Sequence, residues 1–248
     1  MLKESKQVPM KILIISDLHG NMEALTVLPT KYDQLWVLGD LVDFGPNPRE
    51  VIDFVRRRAT YVVRGNHDHA IGYNADPRCS ELYKPIEAEM SEITKAMLTE
   101  KEKRYLRLLP LSICSETHGF RFYLCHATPT DPLFGYCSPD SDGWEREVHA
   151  VPPGCLLVGH THLQFRREIF GRLIVNPGSL GRPKTDAGRA SFATWEDGLI
   201  QFHSEPYPRA QTIEKLRRLQ LSERVKDGLI SMLETGELAS SAKIGEHS

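Results

Sequence analysis

The chain has 248 residues, 40% hydrophobic, 26% charged and 8% aromatic, with a formal net charge of -2. That length supports one large domain or two small ones with a real core, and the composition is that of an ordinary soluble globular protein. The balance of charge argues against a broad surface for nucleic acid polymers, while leaving room for a local cationic pocket.

KILIIS (11–16) is a continuous apolar run with the look of a strand buried on both faces. NMEALTVLPT (21–30) carries apolar residues at helical spacing, with Pro29 near its end, and QLWVLG (34–39) reads as a second buried strand. After the turn FGPNP, residues 48–58 predict an amphipathic helix opened by proline, and TYVVRG (60–65) a third strand. Strands alternating with helices over short connections predict right-handed parallel crossovers and an α/β sheet.

Residues 70–108 are polar and helix-prone, with Lys101, Glu102, Lys103 and Arg104 between spaced leucines. They predict one or two helices capping one side of the sheet, those charges forming a solvated face. From 111 onward short β-type runs dominate: LSIC, FRFYLC, CLLVG, QFRREIF, RLIVN, ASFATW and LIQFH. They predict a second sheet packed against the first. Residues 210–234 predict two amphipathic helices, with Ile213, Leu216 and Leu219 on one face of the first and Val225, Met232 and Leu233 in the second. The tail from 236 is small and polar and is expected to fray. With no repeat and no low-complexity linker, the expectation is one domain over 1–248: a core of about 10–205, a cap insertion at about 70–108 and C-terminal helices at about 210–235.

The five cysteines, Cys79, Cys114, Cys125, Cys137 and Cys155, are odd in number, scattered and free of CxxC spacing. They read as reduced thiols, not as a disulfide frame or a zinc ribbon. Cys125 beside His126 admits a thiol nucleophile, but YLC also reads as the end of a buried strand, where cysteine is a small apolar filler. No stretch approaches the ~20 apolar residues of a membrane helix. MLKESKQVPM carries no hydrophobic segment of a signal peptide, so the expected location is the cytoplasm, with no membrane partner.

What stands just beyond each apolar run is more telling. KILIIS is followed by Asp17 and His19, QLWVLG by Asp40, TYVVRG by Asn66 and His67, FYLC by His126, and CLLVG by His160 and His162. Side chains just past strand carboxyl ends converge on one crevice in open α/β sheets. Singly, Asp17 and Asp40 read equally well as caps, and a lone histidine as structural; five strand ends together favour a site. Seven oxygen and nitrogen donors without sulfur exceed the four that one tetrahedral zinc takes, and with a shared carboxylate they suit two divalent metals. Manganese, iron, zinc, cobalt and nickel all fit such donors better than calcium does. Two such cations outweigh the two carboxylates and one hydroxide by about one positive charge, which attracts an anion such as a phosphate ester.

DLHG (17–20), GDLVD (39–43), GNHD (65–68), CHA (125–127) and GHTH (159–162) together resemble, in order, the motifs of the calcineurin-like metallophosphoesterase superfamily. ISDLHGNMEAL, LGDLVDFGPNP, VVRGNHD and VNPGSLGRP are similar to its bacterial branch of diadenosine tetraphosphatase-like and small phosphodiesterase proteins. The resemblance implies a four-layer αββα sandwich with a helical cap. It implies that Asp17, His19 and His162 hold one metal and Asn66, His126 and His160 the other, with Asp40 bridging and manganese as the first choice. It implies attack on phosphorus by a metal-bridging hydroxide, with His67 protonating the leaving oxygen and Asp43 orienting His67.

Arg64 reads either as a phosphate contact or as a surface salt bridge. Asn21 reads as a substrate contact or a cap on the following helix. In NPGSLGRP, Asn176 and Ser179 are expected to shape a turn, with Arg182 a candidate for phosphate. Related protein phosphatases carry an arginine after the second aspartate of GDxxD, where this chain has Phe44. The expected activity is hydrolysis of a small phosphomonoester or phosphodiester, with nucleotides among the candidate substrates. The alternatives are a dinucleoside tetraphosphate hydrolase, a protein phosphatase (disfavoured by Phe44) and a non-catalytic metal-binding scaffold (disfavoured by the intact motifs).

Overall fold

The computed structural model describes residues 10–184 and 188–238. KILII forms β1 (Lys11–Ile15), with every residue after Lys11 buried, as a strand covered on both faces must be. The helix expected over 21–30 is only a 3-10 stretch, Glu23–Val27. Pro29 disfavours helical geometry in the residue before it, and Leu28 is extended at ψ 141°, so no α-helix propagates. After β2 (Gln34–Val37) comes α1 (Pro48–Arg58), which buries Val51, Ile52 and Val55. Its last turn carries Arg56, Arg57 and Arg58, where the helix dipole favours cations.

The chain continues through β3 (Tyr61–Val62), α2 (Asn66–Tyr73), α3 (Lys84–Met97) and α4 (Glu100–Leu108). Then come β4 (Ser112–Thr117), β5 (Phe120–Cys125), α5 (Gly143–His149), β6 (Cys155–Leu157), β7 (Gln164–Ile169) and β8 (Arg172–Pro177). The hairpin β9 (Arg189–Glu196) and β10 (Leu199–Pro206) precedes α6 (Arg209–Arg217) and α7 (Glu223–Thr235). The frayed tail expected from 236 falls mostly on residues 239–248, which lie outside the described residues.

Two five-stranded sheets result, in the orders β10-β9-β1-β2-β3 and β4-β5-β6-β8-β7. β1, β2 and β3 run parallel, as the alternating pattern predicts. One expectation is corrected: ASFATW and LIQFH, read as part of the second sheet, add antiparallel to β1, with Leu13 opposite Thr194. The edge of β1 away from β2 is buried, and the hairpin supplies the partners its backbone groups require.

Alternation along each strand then sets the layers. Ile12, Ile14, Trp36, Leu38 and Trp195 pack against Phe122, Leu124, Leu157 and Val175 of the other sheet. Leu13, Ile15, Leu35, Val37 and Phe192 face the opposite way, against Val51, Ile52 and Val55 of α1 and Leu106 of α4. The far side of the second sheet is covered by Trp144 and Val148 of α5. Helices, sheet, sheet and helix make the four-layer αββα sandwich. Each fully buried aliphatic side chain in it contributes roughly 1.5–3 kcal/mol.

The cap is tied to the chain's last helices. Ile86 and Met90 of α3 pack with Leu216 of α6, Val225, Leu229 and Met232 of α7, and Phe44 from the turn after β2. With the sheets aligned this way, the carboxyl ends of β1, β2, β3, β5 and β6 open onto one crevice.

Candidate active site

All seven donors meet in that crevice. Nε2 of His162 lies 3.3 Å from Oδ1 of Asp17 and 3.2 Å from Nε2 of His19. Oδ1 of Asn66 lies 3.0 Å from Nε2 of His126 and 3.1 Å from Nδ1 of His160. Between these two groups stands Asp40, its Oδ2 3.8 Å from Nε2 of His19 and 3.3 Å from Nε2 of His126.

The backbone reaches this arrangement through strained turns. Asp17, His19, Asp40, His160 and His162 all have positive φ, between 44° and 64°. For residues other than glycine such geometry costs of order 1–3 kcal/mol each and persists only where the surroundings impose it. Here the turns lock one another: the amide of Asp17 donates to the Gly39 carbonyl, that of His19 to Asp40, and that of Gly159 to His126. Glycine is required where turns touch. A Cβ on Gly65 would lie 2.0 Å from Oδ1 of Asp40, and one on Gly159 would lie 2.8 Å from Oδ2 of Asp17.

A second set of contacts aims the donors. Nδ1 of His19, His126 and His162 faces the carbonyls of Val42, Leu38 and Arg182, at 3.3, 2.7 and 2.7 Å. Those nitrogens therefore carry the hydrogen and each Nε2 points inward; burial opposes a charge on His126, but Asp40 and Asp17 overcome it and raise that ring to about 9, so a cation bound there would take the place of its Nε2 proton. The amide of Asn66 donates to the Pro77 carbonyl, which turns its Oδ1 to the cluster. Asn176 donates to the Gly159 carbonyl and to Thr161, and Ser179 donates to the Asp17 carbonyl, so both brace turns as expected. Asn21 accepts from the Ala24 amide and donates to the Gly181 carbonyl, a local cap and strut.

The electrostatics match a cation site. Burial holds His19 and His162 below their ordinary range and pushes His160 down to about 3, so these rings are neutral and their lone pairs free. Burial favours a protonated Asp17, but His162 and His126 overcome it and hold the carboxyl below its usual range. Oδ1 of Asp17 is nevertheless buried without a hydrogen-bond donor. Inward lone pairs beside an orphaned buried carboxylate oxygen are unfavourable alone and suited to a divalent cation. Asp17, His19, Asp40 and His162 each offer a ligand atom within 4.8 Å of the others.

His67 stands beside the cluster, not in it. Its Nδ1 lies 2.8 Å from Oδ2 of Asp43, which also accepts from Ser91, and its backbone amide donates to Asp40. His67 lines a cavity of about 370 Å³ with Asp40, Asn66, His160 and His162, and its Nε2 lies 3.6 Å from Sγ of Cys79, which lines the same cavity. Burial opposes a charge on His67, yet Cys79, Asp40 and the hydrogen bond it donates to Asp43 hold its pKa well above the usual range.

Two residues left with alternative readings stand outside the cavity. Arg64 does not line the cavity; it donates to the Arg107 carbonyl at 2.6 Å and to the Tyr73 hydroxyl. Cys125 is buried under α5, where burial raises its thiol far above neutrality, so it fills space. Sequence reasoning gave no role to Asp68, whose carboxylate accepts from the Gly65 and Leu41 amides and joins two of the turns. Its position as the acid three residues into α2, where it can reach back to the amide of the N-cap Gly65, was the available signal. Cys79, Tyr83, Phe134, Tyr136 and Lys184 also line the cavity, and no local motif marks them.

The fold and the paired donor groups are those of a metal-dependent phosphoester hydrolase. Residues 10–197 match the calcineurin-like phosphoesterase superfamily domain, and the chain belongs to that family. A metallophosphoesterase of Sphaerobacter thermophilus shares 30% sequence identity, covering 89% of this chain and 98% of that one, with a TM-score of 0.77. An uncharacterized protein of Methanocaldococcus jannaschii is 26% identical over 235 residues, 86% of this chain and 94% of its own length. A symmetrical bis(5'-nucleosyl)-tetraphosphatase of Psychromonas ingrahamii is 24% identical over 221 residues, 80% of this chain and 72% of its own.

Proposed function

We propose that Asp17, His19 and His162 hold one divalent ion and Asn66, His126 and His160 a second, with Asp40 shared between them. The position of the Asp40 carboxylate between two separate donor groups carries this reading. Bound there, such ions supply a water of lowered pKa and positive charge for phosphoryl oxygens. Manganese is our first choice among manganese, iron, zinc, cobalt and nickel, on the mixture of imidazole and carboxylate donors.

The chain's own residues do the rest. His67 holds a proton at Nε2, facing the cavity, and passes it to the departing oxygen of the ester; Asp43 keeps the ring in that orientation. The substrate is a small phosphomonoester or phosphodiester. Phe44 argues against a protein phosphatase, since it puts a neutral ring in contact with His19 and His67. A dinucleoside tetraphosphate is the second reading, favoured by Tyr136. That ring is 60% exposed beside His160, and a nucleobase can stack on it.

We place the protein in the cytoplasm as a single domain. The five free cysteines support the first, and the packing of Phe44 against both the site and the cap supports the second. A metal-supplemented activity screen over phosphomonoesters, cyclic nucleotides and dinucleoside polyphosphates, with a chelator control, tests the function. Hydrolysis that survives chelation, or no hydrolysis with any metal, overturns it.

A further inference from the structure

The loop after β8 brings two cations to the rim of the cavity. Arg182 is only 8% exposed, and its guanidinium lies 4.3 Å from the Phe44 ring centre and 4.9 Å from that of Tyr83. Lys184 lines the same cavity, as do His67, His160 and His162. Among the described residues no carboxylate forms an ion pair with either side chain. Burial, with Arg182 adding to it, pushes Lys184 down to about 8. Arg78, stacked on Phe134 at 4.1 Å, adds a third cation to the lining.

A buried cation without a counter-charge is costly, and the usual resolution is an anionic partner. The two aromatic rings hold the Arg182 guanidinium in place without neutralising it. Its planar fork suits two oxygens of one phosphate, and a lysine ammonium adds a point charge beside it. The main chain of Arg182 is already engaged, because its carbonyl receives Nδ1 of His162.

We infer that Arg182 and Lys184 form a subsite for a second phosphate group, so that the substrate carries a phosphate chain or two phosphates instead of one isolated ester. This deepens the phosphoesterase reading and rests on it. The scissile phosphorus lies at the donor cluster, and the next phosphate is held at the rim.

The kinetic test compares a dinucleoside tetraphosphate with bis(p-nitrophenyl) phosphate, which has a single phosphorus, on the metal-loaded protein. In Lys184→Gln and Arg182→Gln the ratio of kcat/KM for the first to that for the second is expected to fall tenfold or more, chiefly through KM. Equal losses on both substrates, or none, overturn the subsite. Lys184→Gln guards against misfolding at the more buried Arg182, and Arg182→Lys should recover part of the ratio. Calorimetric titration with imidodiphosphate and orthophosphate gives an answer independent of turnover. The wild type should prefer imidodiphosphate at least tenfold, and Lys184→Gln should erase that preference. If the preference is found without any phosphoesterase activity, the functional reading fails and the subsite stands; if activity is found without the preference, the subsite fails alone.

Discussion

Nδ1 of His67 lies 2.8 Å from Oδ2 of Asp43, and both groups are buried beside the donor cluster. This pair leaves Nε2 of His67 as the ring atom that would give up the proton in the proposed reaction. Replacement of His67 by alanine is expected to leave metal content intact while slowing esters of poor leaving groups about 10²–10⁴-fold, and p-nitrophenyl esters much less. Loss of metal from that variant would remove His67 from this role. Asp43→Asn takes a hydrogen-bond-supported charge away from His67, so the limb of kcat that falls with rising pH should move to lower pH. An unmoved limb with a uniformly lower rate would make Asp43 merely structural.

Asp40 reaches both donor groups, so Asp40→Asn should weaken both metal sites together. Metal analysis by mass spectrometry after dialysis checks this. A variant retaining one full equivalent at undiminished affinity would count against the shared carboxylate.

Cys125→Ala should leave turnover within about twofold, because the thiol is buried among Trp144, Leu156 and Ile174, away from substrate. The change removes one small buried group, and its cost in stability should be about 1 kcal/mol. A folded but inactive variant would revive a thiol nucleophile.

Asp68 gives the stability a particular dependence on pH. Burial, with the charge of Asp40 added, raises its carboxyl from 3.8 to about 6, despite two backbone amides that favour ionisation. Between those values the native state binds a proton that the unfolded chain has lost. The stabilisation is therefore complete below pH 3.8 and lost as pH rises through 6. Urea unfolding of metal-free wild type and Asp68→Asn, from pH 4 to 6.5, should show the wild type losing about 2 kcal/mol relative to the variant. A constant difference would refute the shift.

Phe44 joins the site to the cap, being in edge contact with His19 and His67 and packed with Met90 and Leu229. Phe44→Ala should cost about 3–5 kcal/mol by thermal or urea unfolding. A loss near zero would show that the cap is held independently of the site.

Much of this architecture is written locally. Short apolar runs such as ILII (12–15), set between turns, read as strands covered on both faces, and the Asp, Asn and His residues after them mark the crevice. Proline at position 48 and the spacing of Val51, Ile52 and Val55 predict α1 with its observed limits. The donors are legible at the strand ends, while their proposed division between two metals comes from the family resemblance alone.

Other properties belong to pairings between distant segments. ASFATW alternates equally well for either sheet, and only the open edge of β1 decides where it goes. Arg64 looks suited to phosphate beside GNHD, but the end of α4, more than forty residues on, presents the Arg107 carbonyl and claims it. Arg182 is a phosphate candidate in the chain, but only folding sets it over Phe44, more than a hundred residues away. Local sequence determined the strands, the turns and the donors, because hydrophobic periodicity and side-chain chemistry are properties of short segments. Tertiary structure alone decided which cations are neutralised and which stay free to meet a ligand, because a charge is satisfied by whatever the fold brings within a few ångströms of it.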